Sequence, residues 1–558
     1  MGLGQTWSVA LIGLLGHPVQ VETHLQSGLP HFGLVGLPDA SLGESKERVR
    51  AAVSSSGLAW PASRVTVNLS PADLPKSGSG FDLAIAVASL LAAGKIDGEV
   101  ARQRVHLGEL GLDGRIHPVR GILPAVAAAV AAGHPHVVVP EANADEARLV
   151  PGAVVHGAAH LGHLAQLYGA DIPAARLRAI AVVPAPRRAP APPNALVVKD
   201  LVDVLGQSEA RRGLEVAAAG GHHLYMVGPP GTGKTMLAAR LPGLLPDLTD
   251  AEALEVTSVH SVAGTFDAAG GLLVRPPFED PHHTATPASV VGGGSGLPRP
   301  GAASRAHRGV LFLDEAPEFS VRVLETLRQP LEEGQLVIHR ARGVARFPAR
   351  FQLVLAANPC PCGRSVGKGL DCTCTAMARR RYEARLSGPL RDRIDIRLEV
   401  PLVTRAELNA AAAPESTAVV AARVRGARER QRERLAGTGW ATNAEVSGSW
   451  LRERTRRVGP AVAGRLDAEL DRGRLSLRGL DRVLRVAWTR NQRKWERASE
   501  ALLARRELQA SASRAPACRA LTCGNATTHP VYRPLWRVAQ SRAHEVRLTP
   551  SQLGHDVS

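Results

Sequence analysis

The string Gly228-Pro229-Pro230-Gly231-Thr232-Gly233-Lys234-Thr235 constrains this chain more than anything else in it. It is a complete G-x-x-x-x-G-K-[ST] set, directly after the apolar run Leu224–Val227 and directly before a helical run. That strand–loop–helix context is what a phosphate-binding loop requires. The glycines leave backbone N–H groups free to wrap phosphates, and the helix N-terminus adds its partial positive charge. Lys234 would place a point charge on the β- and γ-phosphates of ATP, and Thr235 would offer a hydroxyl to Mg²⁺. Further buried-type strands at Val310–Leu313 and 352–356 suit a mainly parallel α/β sheet around the loop.

Gly309-Val-Leu-Phe-Leu-Asp314-Glu315, about 80 residues after Lys234, supplies the other half of a nucleotide site. Four apolar residues ending in two acids place the carboxylates at the C-terminal tip of a buried strand, beside the loop in an open sheet. Asp314 would hold Mg²⁺ through water, and Glu315 would polarise the attacking water as general base. Asn358 ends the next apolar run and could orient that water, the competing reading being an Asn that caps the following turn. Arg393, in Gly388-Pro-Leu-Arg-Asp-Arg393-Ile-Asp395, reads as an arginine finger for a neighbouring subunit, against a plain Asp–Arg pair. Arg478, in Ser476-Leu-Arg478-Gly-Leu-Asp-Arg482, reads as a lid arginine closing over the nucleotide.

At 558 residues the chain exceeds one core, and the expected class is a multidomain α/β protein. Residues 1–170 mix β-type runs (65–69, 137–139) with Ala-rich helical stretches (83–93, 123–132). Residues 171–196 hold the extended Pro/Ala/Arg linker, 197–405 the P-loop core, and 406–490 a helical lid. Residues 491–558 read as a weakly ordered tail. No apolar run reaches the ~20 residues of a membrane span and no basic n-region precedes the first apolar patch, so a cytoplasmic protein with no membrane partner is expected.

Charge is uneven. Residues 421–558 carry 28 basic against 13 acidic residues, of which 11 and 5 lie beyond 490, in a chain of net charge +17. A basic segment beside a near-neutral body points to a polyanion, with a solvated Arg-rich helical face as the alternative. Four of the six cysteines fall in Cys360-Pro-Cys362 and Cys372-Thr-Cys374. Four thiolates this close could make a structural Zn²⁺ site, although the spacing is tighter than the usual knuckle, and reduced thiols packed in a loop are the alternative. Cys518 and Cys523 carry no site argument.

These motifs, in this order, resemble the magnesium-chelatase-like branch of AAA+ proteins and in particular the ComM/YifB family. The resemblance covers residues 1–490. Its most specific strings are Gly33-Leu-Val-Gly-Leu-Pro-Asp39, Pro281-His-His-Thr284, Asn358-Pro-Cys-Pro-Cys-Gly363 and Tyr382-Glu-Ala-Arg-Leu-Ser-Gly-Pro389. It implies a homo-hexameric ring with ATP at subunit interfaces, driving branch migration of single-stranded or branched DNA in natural transformation. It also implies two channel-facing insertions. One, near 260–305, carries Pro281-His282-His283, with Glu279-Asp280 where a basic residue is expected. The other is a hairpin near 335–351, whose His339, Arg340, Arg342 and Arg346 suit phosphate-backbone contact, with a solvated hairpin face as the alternative.

Through Pro75-Lys76-Ser-Gly78 and Gly114-Arg-Ile-His-Pro-Val-Arg-Gly121, the N-terminal segment resembles the proteolytic domain of Lon. Its Ser and Lys positions fall here on Gly80 and Ala125, so neither group of a Ser/Lys dyad is supplied. Ser77, Ser79 and Lys76 lie nearby in sequence. Two other readings stay open: a chelatase-type motor subunit serving a metal-inserting partner, and a polypeptide-remodelling machine. Aromatic residues are only 3% of the chain, which disfavours the aromatic pore loop of the latter. Beyond Thr489 the sequence departs from the family's pattern.

Overall fold

The computed structural model describes residues 2–36, 40–76, 78–174, 176, 199–294, 298–340, 343–365, 371–410, 414–455 and 460–491. The expected linker (but for its first few residues) and tail therefore lie outside the described residues, as do Ser77, Arg342 and the ends of the Gly33–Asp39 and Gly292–Gly296 strings.

The N-terminal segment forms a seven-stranded sheet. Its strands are β1 (Gly2–Ile12), β2 (Leu15–Gln26), β3 (His31–Val35), β4 (Arg64–Ser70), β5 (Val105–His106), β8 (His136–Pro140) and β9 (Val154–Ala158), with β6 (Glu109–Leu110) and β7 (Ile116–His117) as a small separate hairpin. The spatial order is β3-β4-β2-β1-β5-β8-β9. The β1–β2 and β2–β4 pairs are antiparallel and the others parallel. β4 alternates buried and part-exposed residues, as a half-buried strand must. The helix Asp82–Ala92 is buried along its whole length and helps fill the core beneath the sheet, whereas Ile122–Ala131 belongs to a second cluster. The runs 65–69, 83–93, 123–132 and 137–139 thus form the elements their patterns predict.

The second sheet joins β10 (Leu224–Val227), β11 (Phe278–Glu279), β14 (Val310–Leu313), β17 (Gln352–Ala357) and β18 (Ile396–Glu399), in the order β11-β14-β17-β10-β18. All its pairs are parallel. β14 and β17 are buried at every residue, which explains their unbroken apolar sequences: helices cover both faces. β17 lies between β10 and β14, so three strand tips stand side by side at the C-terminal edge, where open α/β sheets bind their ligands.

Of the two insertions, the first leaves the helix Asp250–Ala263 after its Gly264 cap, and its β11 joins the core sheet. It also holds the short pair β12 (Gly292–Gly293) and β13 (Arg299–Pro300). Glu279, the acid at an expected basic position, is paired with Arg305 at 2.7 and 3.0 Å, so its charge is used inside the insertion. The second is the hairpin β15 (Gln335–Arg340) and β16 (Gly343–Pro348). Its Ile338, Ala345 and Phe347 pack with Leu14 of the β1–β2 turn and with Val262, anchoring it to the N-terminal segment.

Residues 406–490 contain no strand among the described residues. The helices Thr417–Leu435, Gly448–Thr455, Pro460–Asp471 and Leu477–Asn491 enclose a small core of Leu435, Val446, Leu451, Leu480 and Leu484, flanked by Trp440, Trp450 and Trp488. No described helix is long and apolar enough to cross a membrane.

Candidate nucleotide site

The phosphate loop leaves β10 at Val227 and re-enters helix at Lys234. Gly231 (φ +77°) and Gly233 (φ +85°) take left-handed backbone, which only glycine adopts without steric cost. Lys234 Nζ donates to the carbonyls of Gly228 and Pro229, each at 2.8 Å, and to Asn358 Oδ1 at 3.4 Å. Burial pushes the Lys234 pKa down, while the Asp314 and Glu315 carboxylates oppose that shift. Thr235 Oγ1 donates to Asp314 Oδ2 at 2.5 Å, bringing together the hydroxyl and carboxylate that an Mg²⁺ site needs.

Asp314 and Glu315 follow β14. Asp314 Oδ1 accepts from the Glu315 N–H at 2.9 Å, and Glu315 has φ +50°. Left-handed backbone costs a non-glycine residue roughly 1–2 kcal/mol and is retained where the surroundings over-determine it, commonly at functional sites. The consequence here is a side chain turned off the strand axis and half exposed. Asn358, at the tip of β17, sits between the two halves and touches Lys234 rather than serving only as a turn cap.

Two arginines singled out in the sequence lie elsewhere in the chain. Arg393 donates to the Pro389 carbonyl at 2.6 Å and pairs with Glu332, not with an Asp of its own motif. Burial lowers its pKa, and the fields of Arg328 and Arg478 add to that shift. The nearby Arg482 donates to the carbonyls of Arg391 (3.3 Å) and Ile394 (3.1 Å). The start of the helix Leu477–Asn491 therefore stands over the Arg393 turn. No described contact carries Arg478 to the phosphate loop of its own chain. The hairpin residues occupy the expected strand ends: His339 is exposed and pairs with Val344, and Arg340 pairs with Gly343.

His283 is the residue whose role the sequence did not reveal. Its string was read as part of a channel loop, yet His283 Nδ1 lies 3.3 Å from Glu315 Oε2, and its ring packs on His282 at 4.1 Å. No spacing rule links positions 283 and 315; only the fold brings them together. The contact occupies a carboxylate oxygen that a general base needs. His283→Ala is expected to raise the basal turnover number for ATP by up to about fivefold, the limit set by a part-exposed polar contact of at most ~1 kcal/mol. Steady-state hydrolysis without added polymer checks this, with KM for ATP unchanged.

In the N-terminal segment, Lys76 and Ser79, the described groups close to the Lon-like positions, take separate partners. Lys76 is buried with its amine on the Pro71 carbonyl, and Ser79 Oγ donates to Glu109. Gly80 and Ala125 bring neither hydroxyl nor amine. The four clustered cysteines do converge: their sulfur atoms all lie within 4.8 Å of one another.

Comparison with known proteins agrees with this arrangement. Residues 200–408 match the family described as magnesium chelatase, subunit ChlI; residues 21–143 match subunit ChlI of Mg-chelatase; residues 414–490 match magnesium chelatase, subunit ChlI C-terminal. The uncharacterized protein Rv2897c of Mycobacterium tuberculosis is 52% identical over 490 residues, 88% of this chain and 94% of that protein. Competence protein ComM of Haemophilus influenzae is 41% identical over 494 residues, 88% and 93% of the two chains. The uncharacterized protein YifB of Escherichia coli is 40% identical over 491 residues, again 88% and 93%.

Proposed function

Since the chain belongs to the ComM/YifB family of magnesium-chelatase-like ATPases, we propose that it is a cytoplasmic, ATP-driven motor that acts on DNA as a homo-hexameric branch-migration helicase. The observation that carries the ATPase half is the convergence of Lys234, Thr235, Asp314, Glu315 and Asn358 on three adjacent strand tips. ATP would lie across the loop with its phosphates on the 228–235 amides and Lys234. Thr235 and Asp314 would hold Mg²⁺, which neutralises charge developing on the phosphates. Glu315 would take the proton of a water held by Asn358 as that water attacks.

Arg393 and Arg478 lie close enough for their charges to interact, and neither has a described contact with its own phosphate loop; on this reading both serve the nucleotide of a neighbouring subunit. Hydrolysis would then require the ring. The DNA half is supported by the hairpin whose strand end carries His339 and Arg340, with Arg342 following in the sequence, and by the competence protein among the relatives. Phosphate contacts of this kind give binding that is insensitive to sequence and weakened by salt. The segment 1–170 acts as a non-proteolytic, Lon-like platform for the hairpin, which rests on Leu14.

The test is steady-state ATP hydrolysis by the full chain with and without single-stranded and branched DNA, beside Lys234→Ala. Hydrolysis should rise several-fold with DNA, lose that stimulation at high salt, and vanish in Lys234→Ala. Hydrolysis indifferent to DNA would favour the chelatase-type motor instead, a reading that the three chelatase family matches keep in play.

A further inference from the structure

Cys360, Cys362, Cys372 and Cys374 come from two short segments, yet their side chains meet at one point. Cys360 Sγ lies 3.3 Å from Cys362 Sγ and 3.7 Å from Cys372 Sγ, Cys362 Sγ lies 3.7 Å from Cys372 Sγ, and all four sulfurs fall within 4.8 Å of one another. Four thiolates around a tetrahedral Zn²⁺, with Zn–S bonds of ~2.3 Å, stand about 3.8 Å apart. The cluster already has nearly that spacing. All four are free thiols, Cys360 is buried, and the other three are only partly exposed. A set of four equivalent, mutually adjacent sulfurs suits one metal ion better than two separate bridges, and an all-thiolate tetrahedron selects Zn²⁺ among the common divalent ions.

The position of the cluster matters as much as its geometry. Cys360 comes two residues after Asn358, which touches Lys234. The chain then turns, with the Gly363 N–H donating to the Cys360 carbonyl at 2.9 Å. Gly363 has φ +75°, and a Cβ built on it would come within 2.7 Å of Pro230 Cδ, in the middle of the phosphate loop. The turn thus rests directly on that loop. The second cysteine pair leads into the helix Ala376–Ala384, capped by Thr375; just beyond it, Arg385 donates to the Pro317 carbonyl (3.0 Å) and Glu318 (2.7 Å), three residues past Glu315. A metal at the four sulfurs would join the turn that bears on Pro230 to the segment that braces the Asp314-Glu315 side.

We propose that these four cysteines bind one structural Zn²⁺ per chain, and that this metal holds residues 358–363 against Pro230, so that the affinity of the phosphate loop for nucleotide depends on zinc. The second clause rests on the ATP-binding reading above; the first does not. Zinc belongs here to the framework of the site and takes no part in phosphoryl transfer.

The experiment uses the full chain, purified without added metal. Elemental analysis and zinc release by a mercurial should give one Zn²⁺ per chain. Exchange with Co²⁺ should produce the intense absorption of a tetrahedral thiolate site, an arm that needs no variant. Cys372→Ser/Cys374→Ser should retain less than about a tenth of the zinc and bind a fluorescent ATP analogue about tenfold more weakly, since a shift of ~1 Å at a binding loop can cost that much or more. Gly363→Ala leaves the cysteines intact but pushes on Pro230; it should keep its zinc and still lose nucleotide affinity. Lys234→Ala should lose nucleotide and keep zinc, which separates failure of the metal site from failure of the ATP site. Protein that holds no zinc and takes up no Co²⁺, that contains iron instead, or whose cysteines are paired in disulfides, overturns the metal site. Zinc-free variants, or Gly363→Ala, that bind nucleotide as tightly as the unaltered chain overturn the coupling.

Discussion

Replacing Glu315 by Gln is expected to lower the turnover number for ATP by a factor of about 10²–10⁴, the usual contribution of a positioned general base, equivalent to roughly 3–5 kcal/mol of transition-state free energy. Nucleotide affinity should stay within about twofold, because Gln keeps the size of the side chain and no phosphate-binding group is altered. The left-handed backbone at 315 is no worse for Gln than for Glu, and the amide oxygen can still accept from His283. Lys234→Ala should behave in the opposite way. Its amine bridges the loop carbonyls and Asn358, so its removal should abolish binding itself. Measuring binding with a fluorescent analogue alongside single-turnover hydrolysis distinguishes the two. A Glu315→Gln protein that hydrolyses ATP at the unaltered rate would take the general base away from position 315.

The contrast between these two variants also marks what the sequence makes legible. The phosphate loop and the Asp314-Glu315 pair are each contiguous, because a loop that wraps phosphates and a strand that ends in acids are local devices. Their strands, β14 buried at every residue and β10 at alternate ones, print unbroken apolar runs. Two strands of the sheet were not foreseen: Phe278-Glu279 of β11 is too short to show a period, and β18 breaks its apolar run with the exposed Arg397 and Glu399. Contacts across long separations leave no pattern at all. His283 reaches Glu315 and Arg393 takes Glu332 as its partner only because the insertion and the helix Arg328–Glu333 are folded back on the core. The sequence read Arg478 as a lid arginine closing over the nucleotide; in the fold its field reaches Arg393, a neighbour that no spacing rule pointed to. The Cys-x-Cys pairs announced a possible metal site, but not that Gly363 presses on Pro230.

The helical segment is tied to the core by a buried polar network, and breaking that network should cost more stability than any surface change. His222, just before β10, donates from Nδ1 to Asp395 Oδ2 at 2.9 Å, both side chains being almost wholly buried. On its other side, His222 Nε2 meets Thr489 Oγ1 at 2.7 Å, and Asn443 Nδ2 donates to the same hydroxyl at 2.8 Å. One end of the network thus lies just before the strands β10 and β18 and the other in the helix Leu477–Asn491. Burial alone would raise the Asp395 pKa, but the His222 hydrogen bond and the fields of His222, His223 and Arg485 outweigh it and leave a net downward shift. Asp395→Ala strands His222 without its carboxylate. The expected loss is about 3–5 kcal/mol, as for other buried pairs that lose one partner. For a core of this size that corresponds to a thermal midpoint lower by roughly 10 °C. Because the folded pKa lies below the ordinary ~3.9 of Asp, the stabilisation is fully present above about pH 4 and fades as pH falls through the depressed value. Melts of the two proteins should therefore stay apart from pH 5 upward and draw together below pH 4. Amide exchange should also quicken in the helix Leu477–Asn491 before it does in β14 and β17, because the lost carboxylate is what orients His222 towards Thr489. A variant that melts like the unaltered chain across this range would mean that the helical segment is held by its apolar contacts alone.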